Sequence, residues 1–190
     1  MNETVSHLLR DSLAIVAAAA LFAGCTGDAP LSPDEQRAVQ AQFVRAPVLG
    51  ACQNLQVSAA SKRAFHVYAE GVQIYQWNGT SWVFVAPDAE LFADAGARGT
   101  VGTHYAGPTW ESVSGSKVVA AVIDRCTPDP AAIPWLLLGA VSSEGPGIFH
   151  RVTLIQRLNT VGGNAPTAPG NFTGEVARVP YTAEYLFYRD

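Results

Sequence analysis

Charge is scarce in this chain and nowhere concentrated. Asp, Glu, Lys and Arg make up 15% of the 190 residues, and the formal net charge at pH 7 is −4. No cluster of basic side chains is present to track phosphates, which excludes nucleic acid as a partner. No Gly-x-Gly-x-x-Gly follows a strand and no βαβ succession appears, so nothing sets a helix N-terminus on a pyrophosphate. Histidine is too dispersed for a metal site: His66, His104 and His150 fall on different candidate strands, and His-x-His, His-x3-His and Cys-x2-Cys spacings are all missing. Neither a metal nor another cofactor is expected. A Gly-x-Ser-x-Gly nucleophile elbow is also lacking.

Long apolar runs are absent too. The run at 12–24 covers about thirteen residues, short of the roughly twenty that span a bilayer. It follows weakly basic MNETVSHLLR and ends in Leu21-Phe22-Ala23-Gly24-Cys25. That order reads as a signal peptide over 1–24, of the lipoprotein type, with Cys25 the acylated new N-terminus. The expected address is the cell envelope, anchored in the outer membrane or at the cell surface through Cys25, with a soluble secreted form as the alternative.

Only three cysteines are present. With Cys25 acylated, Cys52 and Cys126 remain, and in an oxidising compartment they are expected to pair. A bridge between them closes a loop of about 75 residues, which in the loop-entropy model stabilises by roughly 4 kcal/mol.

After a tether over 25–31, Ser32, Pro33 and Glu35 write the start of a helix, because Ser-x-x-Glu satisfies orphan amides from both directions. This helix is expected over 33–46 and stops at Pro47. From Leu55 the apolar period changes from 3.6 to 2. Strands are expected at 64–69, 72–77, 81–85, 99–105, 117–124, 135–141, 148–157 and 181–188, with Asn78-Gly79 a hairpin turn. The predicted fold is all-β: one domain over 32–190, an antiparallel β-sandwich or barrel of about eight strands with one short N-terminal helix. The segment 159–180, rich in Gly and Pro, reads as a long irregular loop.

The phrases GVQIYQW, WVFVAPDAELF, VGTHYAGPTWE, IPWLLLGA, GIFHRVTLIQRLNTVGGNAP and VPYTAEYLFY occur in order. Together they resemble the exported proteins grouped as domain of unknown function 3455, over about Leu55 to Tyr188. The resemblance brings no established reaction. It implies cysteines near the end of the first phrase and after the GGNAP segment, where this chain has Trp77 and Gly170-Asn171, so that family's usual bridge does not carry over.

The stretch 102–112, GTHYAGPTWES, gathers the most chemistry. His104 titrates near neutrality and suits a general acid or base, with Glu111 as an orienting partner. In a glycine-rich turn it equally suits a bond to a backbone carbonyl, with Trp110 capping the core. Gln73 and Arg157 place polar groups in apolar strands, where they must join a cross-strand network or line a polar pocket. The expected ligand contacts are His104, Tyr105, Trp110, Glu111, Gln73 and Arg157. They would sit in a shallow site formed by the loops at 104–111 and 160–173, suited to carbohydrate or another flat or apolar envelope ligand. The expected function is a ligand-binding or accessory module of the envelope. The alternatives are an envelope hydrolase or isomerase using His104 with a nearby carboxylate, and a structural envelope protein.

Overall fold

Eight antiparallel strands close into a barrel in simple sequence order, the last returning to pair with the first. The computed structural model describes residues 30–40 and 46–190. The expected signal peptide, Cys25, most of the expected tether and positions 41–45 of the expected helix lie outside the described residues. The elements are α1 (Pro33–Gln40), β1 (Lys62–Trp77), β2 (Trp82–Asp94), β3 (Arg98–Tyr105), β4 (Thr109–Ser112), β5 (Lys117–Cys126), β6 (Trp135–Glu144), β7 (Leu154–Gly162) and β8 (Val176–Arg189). No described helix is long and apolar enough to cross a membrane.

Several expected boundaries move, each for a physical reason. The candidates at 64–69 and 72–77 are one strand, because Gly71 serves as a point of close approach and not as a turn. A Cβ there would lie 2.2 Å from the carbonyl oxygen of Asp88 on β2. The stretch 102–112 is a hairpin in which β4 was hidden by Gly107-Pro108. Gly107 turns the chain with φ +104°. The strand expected at 148–157 begins only at Leu154. Ile148, Phe149 and Val152 instead plug one barrel end, Phe149 packing on Phe65 and Phe187 at 5.4 and 5.0 Å. The irregular segment 159–180 shrinks to 163–175, since β7 and β8 extend into it.

The alternation of β7 and β8 serves two cores. Inward residues such as Ile155, Tyr185 and Phe187 join Phe65, Val67, Leu91 and Trp110 inside the barrel. Outward Leu158, Leu186 and Tyr188 join Leu137 in a second core beneath Leu49, Cys52 and Leu55. The Cys52–Cys126 disulfide pins this covering segment. Gln156 adds a polar clasp, donating to the Leu55 carbonyl at 2.7 Å and accepting from the Tyr188 hydroxyl.

Helix α1 closes the plugged end. The Glu35 carboxylate accepts from the Ser32 amide at 2.8 Å while the Ser32 hydroxyl accepts from the Glu35 amide at 3.2 Å, a reciprocal capping box. Glu35 is fully buried, and its other oxygen accepts from the Ser114 hydroxyl at 2.6 Å. One carboxylate therefore starts the helix and docks it on the β4–β5 turn. Glu35→Ala removes both roles, so the urea midpoint should fall by the equivalent of about 2 kcal/mol. An unchanged midpoint would show that α1 is not docked in solution.

At the opposite end the β1–β2 hairpin carries Trp77 and Trp82, and the 163–175 loop folds over them. Trp82 donates its indole N–H to the Ala168 carbonyl at 2.9 Å. Gly170 lies on Trp77, where a Cβ would meet the indole at 2.5 Å. Trp77 and Gly170, the positions where the resembled proteins would place cysteines, are thus spatial neighbours, held here by an indole packed on a glycine.

Candidate functional site

A hairpin shorter than its neighbours opens the barrel wall. β3 and β4 reach only to Tyr105 and Thr109, where they pair with each other. β2 pairs with β3 from Ala89 onward, which leaves Trp82–Asp88 bonded to β1 alone. β5 pairs with β4 only through Val119, Ala120 donates to the Pro108 carbonyl at 3.1 Å, and the stretch 121–126 pairs with β6 alone. The gap is a side window framed by Phe84, Val85 and Pro87 on β2 and by Val122 and Arg125 on β5, with Gly107-Pro108 as its sill. Proline, which has no amide to offer, stands on the free edge of β2, as edge strands tolerate.

Behind the window lies a cavity of about 400 Å³, within the size range of small-molecule sites. Its walls are inward side chains of β1, β3, β4, β6, β7 and β8, and they include Gln73, Tyr75, His104, Trp110, Arg157 and Tyr185. Ile133 and Pro134 close it overhead, tied down by the Thr160 hydroxyl on the Ile133 carbonyl (2.6 Å) and by Arg157, whose Nε and Nη2 both donate to the Pro134 carbonyl (3.1 and 2.8 Å). Tyr75 reaches across to the Gly163 carbonyl at 2.7 Å.

His104 and Trp110 are cross-strand neighbours whose rings stack at 4.2 Å and 10°, with Tyr185 edge-on to both. His104 Nδ1 donates to the Thr109 carbonyl at 2.8 Å. Burial pushes the imidazole pKa down to about 3, with the Arg157 charge acting in the same direction, so the ring is neutral at physiological pH. Burial raises the phenols of Tyr75 and Tyr185, and Arg157 pulls against that rise. The indole N–H of Trp110 is buried and has no acceptor among the described residues.

Strand parity divides the six expected contacts. Gln73, His104, Trp110 and Arg157 meet in the cavity. Tyr105 and Glu111, each one position from an inward ring, lie outside and bond each other, a contact that drives the Tyr105 pKa up to about 12. Glu111 is therefore no partner of His104. The loop expected at 160–173 forms no shallow rim with 104–111, because most of it is spent on Trp77 and Trp82. Tyr75, Tyr185 and Arg125 are lining residues that reading by phrase missed. The usable signal was a phenol in the inward set of an otherwise apolar strand. Of the other histidines, His66 pairs with Glu184 at 2.9 Å on the barrel exterior and His150 Nδ1 sits 3.2 Å from the Gly145 carbonyl. Among the described residues no three His, Cys, Asp or Glu side chains converge in a metal-binding group.

No curated protein and no solved structure matches the chain. A family model does, that of the "protein of unknown function (DUF3455)", over residues 58–189, which runs from just before β1 to the last residue of β8. The barrel, its window and the cavity behind it all fall within that span, and the chain belongs to the DUF3455 family.

Proposed function

We propose that this protein is an exported, lipid-anchored binding module of the cell envelope whose ligand enters the barrel through the side window. The observation that carries the reading is the cavity of about 400 Å³, where Gln73, His104, Trp110 and Arg157 converge from four different strands. Export and acylation rest on the apolar run and on Cys25. Binding is favoured over hydrolysis or isomerisation because the lining holds no carboxylate, cysteine or serine to act with His104, and because a buried neutral imidazole bonded to a carbonyl is poorly placed to exchange protons.

A thermal-shift screen of the purified protein against envelope sugars and small amphipathic acids tests this. A ligand present at about 100 times its Kd stabilises by about 2.7 kcal/mol, which raises Tm by roughly 5–10 °C in a domain of this size. Leu138→Trp, which fills the cavity, should abolish the shift. Val141→Trp, at a position 71% exposed, should leave it intact. Equal shifts in both variants would place binding elsewhere.

A further inference from the structure

The polar groups that line the cavity are unbalanced in sign. Arg125 and Arg157 both face it, and no Asp or Glu does. Arg157 makes no ion pair among the described residues. Its Nε and Nη2 both donate to one neutral carbonyl, and the other polar group bonded to it is the neutral Tyr185 phenol. Its charge acts on Tyr75, His104, Tyr181 and Tyr185. A half-buried guanidinium at the cavity wall, with no carboxylate facing it, is a ready partner for an anion.

The donors point the same way. Arg157 is a charged donor in the lining, whereas Gln73, His104 and the phenols of Tyr75 and Tyr185 are neutral groups that can accept as well as donate. A neutral sugar can bond those neutral groups but leaves the guanidinium charge unmatched, whereas a carboxylate matches it. Towards the window the wall turns apolar, through Phe84, Val85, Val122 and Leu138, the first three between 41% and 55% exposed.

We propose that the ligand is a small organic carboxylate with an apolar body, its acid group paired to Arg157 and its tail lying along Phe84, Val85 and Val122 towards the window. The assignment rests on the cavity being the ligand site and names the chemistry of what fills it. Arg157 is suited to the role because a planar guanidinium meets a carboxylate through parallel N–H bonds, and pairs of this kind are among the stronger hydrogen-bonded contacts in proteins.

The test uses three probes of one chain length: octanoate, octanol and octylammonium. Each is titrated into the purified protein by calorimetry. Octanoate should bind roughly ten- to a hundredfold more tightly than octanol, as expected for gaining a bond to a charged group, and octylammonium should be weakest. Arg157→Gln should erase the octanoate advantage while octanol still binds, which also reports that the cavity persists. Arg157→Lys should recover part of it.

Octanol binding as tightly as octanoate would overturn the carboxylate assignment and leave the cavity reading intact. Octanoate preference that survives Arg157→Gln but is lost in Arg125→Gln would move the acid group to the rim and also overturn it. Failure of all three probes in the wild-type protein would sink the cavity reading together with the assignment.

Discussion

Replacing both Cys52 and Cys126 with serine should cost about 4 kcal/mol of unfolding free energy, the chain entropy returned when a loop of about 75 residues is no longer closed. The effect should be spatially uneven. The segment at 46–57 is held on the outer face of β6, β7 and β8 by this disulfide, by the Leu49, Cys52 and Leu55 side chains, and by the Gln156 clasp. Without the bridge that segment should open first. Amide exchange should accelerate at Leu55 and in the outward-facing rows of β7 before the inner core follows. The bridge also fixes the end of β5 beside Arg125, on the frame of the window, and Asn54 bonds the Arg125 carbonyl at 3.1 Å. Reductant should reproduce the serine phenotype in the wild-type chain. A serine variant within about 1 kcal/mol of wild type in guanidinium unfolding would show that the second core alone holds the cover in place.

Acid should destabilise this barrel earlier than its carboxylates require. In the folded chain His104 titrates near pH 3, and in the unfolded chain near its ordinary 6.5. Above pH 6.5 the ring is neutral in both states and contributes no pH dependence. Below 6.5 the unfolded chain takes up a proton that the folded chain refuses, so stability drops by about 1.4 kcal/mol per pH unit until the folded pKa is reached. The full loss is on the order of 5 kcal/mol, and over half of it should be visible by pH 4.5.

Glu184, held below the ordinary carboxylate range chiefly by its bond to His66, adds a loss that begins only as pH falls towards ordinary carboxylate values. His104→Phe keeps an aromatic ring against Trp110 and removes the titration. It should be less stable at pH 7 by about 1 kcal/mol, for the lost bond to the Thr109 carbonyl. Its urea midpoint should then fall less steeply than that of wild type between pH 6.5 and 4.5. Parallel curves would mean that His104 is reached by solvent in the folded state.

Features that depend on near neighbours could be read from the residues alone. Ser32 and Glu35 announced their capping box because all of its parts lie within four residues. Cys52 and Cys126 announced their bridge because they are the single pair left once Cys25 is assigned to the expected lipoprotein-type signal. Period-2 patterning carried most of the strands. The hairpin at 102–112 was obscured because four residues of β4 between Gly107-Pro108 and the β4–β5 turn are too few to display a period. Once both strands are recognised, parity alone separates His104 and Trp110 from Tyr105 and Glu111.

The same parity splits Gln156 from Arg157. These neighbours in sequence end in different cores, the first under the disulfide-bound cover and the second in the cavity. The window was out of reach of any sequence pattern. It exists because β2 and β5 outrun the hairpin between them, a fact about register among distant segments.

The indole N–H of Trp110 offers the most direct test of the claim that the barrel interior receives a ligand. Proton–nitrogen correlation spectra resolve this signal from those of Trp77, Trp82 and Trp135, and Trp110→Phe assigns it. During titration with octanoate the Trp110 signal should move saturably, while that of Trp77, packed on Gly170 at the barrel end, stays in place. A Trp110 signal unmoved at millimolar octanoate, or one that shifts no more than that of Trp77, would contradict the account.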